Sequence, residues 1–156
     1  MAHTTFDQVI PVTAPFEMVR ERLAGLMTNI EELHPLVIWT RHIATTSAPD
    51  GTKTDYYRVH DRMKLGPFPV AFTYKVDMTV TLDGRLLSNA YQSPGIHLAA
   101  TTWCEPAEEG TLIREYVEIT APRPLLKTTY QGALSAHKEL FAKLKEQIER
   151  IQTPAP

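Results

Sequence analysis

The sequence predicts an α+β fold: a curved antiparallel sheet of about seven strands wrapped on one long C-terminal helix, with two short helices between the first and second strands. Three observations carry that expectation. Turn-forming pairs cut residues 36–121 into six stretches rich in Val, Ile, Thr, Tyr and Phe. One of those stretches alternates between apolar and polar residues, as a sheet wet on one face requires. An apolar stripe at helical spacing then follows the last stretch and supplies the cover for the dry face.

Thr4 to Pro11 reads as the first strand. Thr13-Ala14-Pro15 starts a helix over Pro15 to Met27, with Glu17 near the positive end of its dipole. Thr28 and Glu31 stand at capping-box spacing, which predicts a second short helix ending at Leu33. His34-Pro35 stops it, because the residue before proline is driven out of the helical region. Pro49-Asp50-Gly51, Gly66-Pro67, Asp83-Gly84, Pro94-Gly95 and Glu109-Gly110 punctuate the six strands of a meander.

The clearest alternation sets Val70, Phe72, Tyr74, Val76, Met78, Val80 and Leu82 against Ala71, Thr73, Lys75, Asp77, Thr79 and Thr81. After Pro122 and Pro124, Leu126, Tyr130, Leu134, His137, Phe141, Leu144, Ile148 and Ile151 recur every three or four residues. Glu139 with Lys143 and Glu146 with Arg150 fall on the opposite, solvated side at the favourable i,i+4 spacing. A helix of ~27 residues spans about 40 Å, enough to cross such a sheet.

The chain's 156 residues suit a single domain over 1–152, with 153–156 as a disordered tail. Sixteen Lys and Arg against eighteen Asp and Glu give a formal charge of -2, which supplies no electrostatic reason to bind nucleic acid. No apolar run reaches the ~20 residues of a bilayer span, so stable membrane insertion is not expected. A lone Cys104 and the lack of a secretory pattern point to a cytoplasmic setting. The six histidines form no ligand-spaced cluster and the glycines no phosphate loop, so neither metal nor other cofactor is implied. Cys104 has no recognisable histidine and acid partner and reads as a small strand residue, not a nucleophile.

Candidate binding residues follow from the same alternation. Phe72, Tyr74 and Met78 belong to the inward set. A two-residue Asp83-Gly84 turn would pair Met78 with Asn89 and Val76 with Tyr91, bringing an amide and a phenol to that face. The alternative is a hydrated Asn89 at the sheet's edge. Tyr130, Leu134 and His137 lie on the helix stripe, where His137 is either a core residue with one satisfied hydrogen bond, a ligand contact or an acid–base group. Trp39, Tyr57, Trp103 and Tyr116 are aromatic walls or ordinary core. A tight Glu109-Gly110 turn would place Trp103 with Tyr116 and Glu105 with Arg114 on one face, whereas Pro106 favours a longer loop and a different register.

Three segments carry a family resemblance: Val12-Thr13-Ala14-Pro15-Phe16-Glu17, Lys64-Leu65-Gly66-Pro67-Phe68-Pro69-Val70 and Glu109-Gly110-Thr111. With the order of elements, they resemble the START-like (SRPBCC) superfamily, the helix-grip fold of plant-allergen-type proteins, lipid-transfer domains and polyketide cyclases. The middle segment is locally similar to the G-type subunit of carbon monoxide dehydrogenase. The resemblance implies a small hydrophobic, lipid-, polyketide- or quinone-like ligand held between sheet and helix. A non-catalytic binder or carrier is the leading expectation; the alternatives are a cyclase- or dehydratase-type enzyme and a protein-interaction or assembly factor whose partner the sequence does not name. With no charge assigned to the cavity wall, a neutral ligand is expected over a carboxylate.

Overall fold

The computed structural model describes residues 1–65 and 67–152; the expected tail and Gly66 lie outside the described residues. β1 (Ala2–Val12) leads into α1 (Phe16–Ala24), a 3₁₀ turn (Leu26–Asn29) and α2 (Ile30–Leu33). A meander follows: β2 (Val37–Ser47), β3 (Lys53–Leu65), β4 (Phe68–Val80), β5 (Leu86–Gln92), β6 (Ile96–Ala107) and β7 (Gly110–Ala121). α3 (Arg123–Gln152) completes the fold, its 30 residues spanning about 45 Å. The seven strands form one antiparallel sheet in the order β1-β7-β6-β5-β4-β3-β2.

β1 pairs with the last strand, from Ala2 opposite Ala121 to Val12 opposite Thr111. Gly110 makes this closure possible. Its φ is 141°, and a Cβ there would stand 2.3 Å from the Val12 carbonyl oxygen, so only glycine lets β7 begin beneath the end of β1.

The C-terminal half of α3 seals one end of the molecule. Phe141, Leu144 and Ile148 are fully buried with Val19 and Leu23 of α1, Leu33 of α2 and Ile113 of β7. Its N-terminal half leans on Phe6, Ala100, Val117 and Ile119 through Leu126, Tyr130, Ala133 and Leu134. The stripe therefore faces β1, β7 and β6, except that Ile151 runs past the core and is exposed. The expected ion pairs form on the outer face, Glu139 with Lys143 at 3.3 Å and Glu146 with Arg150 at 2.5 Å.

The capping box does not form. α1 ends at Gly25, α2 starts at Ile30 after Asn29, and no side chain caps it. Glu31 accepts instead from the Thr40 backbone N–H at 3.0 Å, tying α2 to β2.

Two turns differ from expectation. Thr81 pairs with Arg85 across a three-residue Leu82-Asp83-Gly84 loop whose last residue, Gly84, takes φ 85°. The added loop residue shifts β5 by one, so Met78 faces Ser88 and Val76 faces Ala90. Because side chains alternate with period two, that slip turns Asn89 and Tyr91 to the outer face. Leu82 is in the loop and exposed, and Val80 is 39% exposed at the end of β4. The β6–β7 turn is Glu108-Glu109, flanked by Ala107 opposite Gly110. This shift of two preserves faces: Trp103 and Tyr116 do lie on one side with Glu105 and Arg114, but it is the outer side.

Candidate functional site

Between the N-terminal half of α3 and strands β3 to β6 lies a cavity of about 350 Å³. Alternation fixes the sheet side: Asp61 and Met63 of β3, Val70, Phe72 and Tyr74 of β4, Ser88, Ala90 and Gln92 of β5, and Ile96, Leu98 and Ala100 of β6. α3 supplies Leu125, Thr128, Thr129, Gly132, Ala133, Ala136 and His137, while His34 and Leu36 close the space where α2 meets β2. The volume has a local cause. Where α3 crosses β3 to β6 its residues are small, so the helix cannot fill the concavity of the sheet.

The ionisable groups gather at the α2 end. Asp61 is only 3% exposed, and its Oδ2 accepts the Tyr74 hydroxyl at 3.0 Å. Its Oδ1 is buried without a protein partner. Burial pushes the Asp61 carboxyl up to about 6 against the pull of the Tyr74 hydrogen bond. Burial likewise raises the Tyr74 phenol far above its usual range, and the Asp61 charge adds to it, so Tyr74 stays a donor.

His137 Nδ1 donates to Glu115 Oε2 at 2.8 Å, and Gln8 Nε2 donates to Glu115 Oε1 at 2.8 Å. Burial disfavours the charged imidazole, yet the Glu115 charge and hydrogen bond together outweigh it and raise His137 above its ordinary value. His34 goes the other way: burial, then the charges of His137 and Lys143, lower it to about 4. Its Nδ1 accepts the Leu36 backbone N–H at 3.2 Å, which puts the proton of the neutral ring on Nε2. The two rings meet edge to face with centroids 6.3 Å apart. The cavity thus combines an apolar body with a carboxyl group, a phenol and two imidazoles whose proton affinities are shifted in opposite directions.

Of the sequence-predicted residues, Phe72, Tyr74 and His137 line this cavity. Met78 lies beyond it, in an adjoining hollow of about 100 Å³ that shares His34, Tyr74 and His137. Tyr57 points inward but lines a separate hollow of about 140 Å³ beside Ala24 and Met27. Tyr130 and Leu134 pack into the core, Tyr130 edge-on to Phe6 at 6.0 Å.

The other five are outside. A bulge between Val37 and Trp39 reverses β2's alternation and stacks Trp39 on His60 at 5.2 Å. Asn89 is held by its outer-face neighbours, giving its amide N–H to Asp77 at 2.9 Å and pairing with His97 at 2.9 Å. Tyr91 stacks on His97 at 4.7 Å. Arg85 lies over the Trp103 ring at 4.5 Å, and Tyr116 is 38% exposed. Arg114 pairs with Glu105 at 2.8 Å and provides no charge to the cavity.

Sequence reasoning missed Asp61, His34, Glu115 and the small face of α3. Each left a signal. Asp61 continues the inward series Tyr57, Val59 and Met63 by period two, and Thr128, Gly132 and Ala136 recur at i,i+4. The expectation of an uncharged wall is corrected by Asp61. Cys104 is pushed up to about 11 by burial, which leaves it a thiol at neutral pH. Among the described residues no group of three or more His, Cys, Asp or Glu could hold a metal ion, and no helix is long and apolar enough to cross a membrane.

No family model matches the chain, and no curated protein does. Solved structures do. The Zhui aromatase/cyclase from Streptomyces sp. R1128 superposes with a TM-score of 0.70 at 10% identity, covering 97% of each chain. A START superfamily protein from Mycobacterium smegmatis gives 0.71 at 13% identity over 96% of this chain and 99% of that one. This is the START-like helix-grip fold. Norcoclaurine synthase from Thalictrum flavum gives 0.64 at 16% identity over 94% of this chain and 96% of that one. At such identities the likeness is one of fold. Nothing in these comparisons supports the local resemblance of 64–70 to a carbon monoxide dehydrogenase component.

Proposed function

We propose that this protein binds a small, mainly apolar molecule in the cavity between α3 and β3 to β6. The observation that carries this reading is the cavity itself: about 350 Å³, walled mainly by aliphatic, aromatic and small residues, with its ionisable groups clustered where α2 meets the sheet. Burying ~300 Å² of apolar ligand surface would contribute about 7 kcal/mol. Association entropy offsets several kcal/mol of that, leaving affinities on the order of millimolar from apolar contact alone.

Gly132 supplies the test. A Cβ added there meets nothing within 4 Å, so Gly132→Phe projects a ring into the cavity without a backbone clash at its Cβ. Displacement of an environment-sensitive fluorescent probe should give saturable binding to the wild type. Gly132→Phe, folded by circular dichroism, should lose at least about tenfold, equivalent to ~1.4 kcal/mol. A wild type that takes up no apolar probe would sink the reading.

A second reading, an enzyme of cyclase or dehydratase type, is favoured by Asp61, Tyr74, His34 and His137 sharing one cavity. Groups whose surroundings push their protonation apart are what acid–base chemistry at a carbonyl requires. In that case a carboxylate would take a proton beside a carbonyl while a phenol or imidazole N–H steadied the oxygen. Incubation with a poly-β-carbonyl chain and mass spectrometry for loss of water tests it. An unchanged chain, or turnover unaffected by Asp61→Ala and His137→Ala, would remove it.

A further inference from the structure

Asp61 is the one described side chain with a buried polar atom that lacks a hydrogen-bond partner, and that atom belongs to a residue lining the cavity. Buried polar atoms in folded proteins are nearly always satisfied, so an exception at a binding surface points to a partner that arrives with the ligand. Two donors of the same cavity wall are already engaged. The Tyr74 hydroxyl serves Oδ2 at 3.0 Å, and His137 Nδ1 serves Glu115 at 2.8 Å. Asp61's strand neighbours, Val37 on β2 and Phe72 on β4, carry no polar side chain. A carboxylate oxygen accepts and does not donate, which excludes ethers, ketones and quinones as its complement while it is ionised.

We infer that Asp61 is the specificity-determining anchor of the cavity, and that the ligand meets it with a hydrogen-bond donor, a protonated amine or a hydroxyl, set on an apolar ring body. This rests on the binding reading above and narrows it. Charge makes the amine the stronger partner: N⁺–H···O⁻ bonds are shorter and stronger than neutral ones, and His137, which lines the same cavity, already gives its Nδ1 to Glu115. A ligand carboxylate would face Asp61 as a like charge and be rejected.

Calorimetric titration with four naphthalenes of one shape separates these possibilities: the methylamine, the methanol, its methyl ether and the carboxylate. At about pH 7.5 the amine is charged and Asp61 is largely ionised. The wild type should bind the amine at least about tenfold more tightly than the ether, with the alcohol between them and the carboxylate weakest. Asp61→Asn keeps the shape and removes the charge, so the amine should lose about tenfold while the ether changes less than about threefold. The wild-type ranking needs no variant and stands even if Asp61→Asn folds poorly. Equal binding of amine and ether, a carboxylate that binds tightest, or an amine preference that survives Asp61→Asn would overturn the anchor and leave apolar binding intact. Uptake of none of the four by folded wild type would overturn both.

Discussion

Burial of Asp61 costs stability wherever it is ionised, and the sign of that cost is testable. Its folded value of about 6 lies above the ordinary 3.8, so the native state holds the proton more tightly. The penalty is absent below about pH 4, grows as pH rises, and is complete above the folded value. We expect Asp61→Asn to be more stable than wild type by about 2 kcal/mol near pH 7.5, with the gap closing toward pH 4 in urea denaturation series. A variant less stable than wild type at neutral pH would mean that Asp61 has an unseen partner.

His137 carries the opposite sign. With a raised folded value, its pair with Glu115 contributes fully below the unfolded value of about 6.5 and fades as pH rises through the folded one. His137→Ala leaves the 3% exposed Glu115 carboxylate with Gln8 alone, and should cost about 3 kcal/mol at pH 6. A loss below about 0.5 kcal/mol would place the pair in water. His137 was legible as an inward helix residue because its neighbours repeat at helical spacing. Glu115 was not, since a single acid in an alternating strand reads as surface until the partner across the core is known.

On the scale of elements, α3 divides its length between two tasks. Phe141, 1% exposed, sits in the sealed half, and Phe141→Ala should cost about 3 to 5 kcal/mol in chemical denaturation. Gly132 sits in the half that borders the cavity, where nothing opposes a methyl group, so Gly132→Ala should stabilise by about 0.5 to 1 kcal/mol through helix propensity. Destabilisation there would show that the helix backbone needs that glycine. Strand positions and the long helix were readable because proline, glycine and period-two alternation are local signals. Register was not. Asp83-Gly84 announces a turn, but whether two or three residues form the loop depends on Gly84's backbone and its Thr81 partner, and that one residue decides whether β5 shows the cavity Asn89 and Tyr91 or Ser88 and Ala90.

For the whole molecule, the sheet's concavity and the changing side-chain size along α3 jointly produce the cavity, which neither element specifies alone. The overall order of elements was legible, because a dry sheet face demands a cover and the stripe after Pro124 is long enough to give one. The cavity's position was not, since it arises from small residues facing inward-curving strands far apart in sequence. The measurement that tests the binding claim most directly is methyl NMR of alanine-labelled protein with naphthylmethylamine. Intermolecular contacts should reach the methyls of Ala90, Ala100, Ala133 and Ala136, which line the cavity, and spare those of Ala71 and Ala99, whose strand positions face outward. Contacts confined to Ala71 and Ala99, or none at saturating ligand, would contradict it.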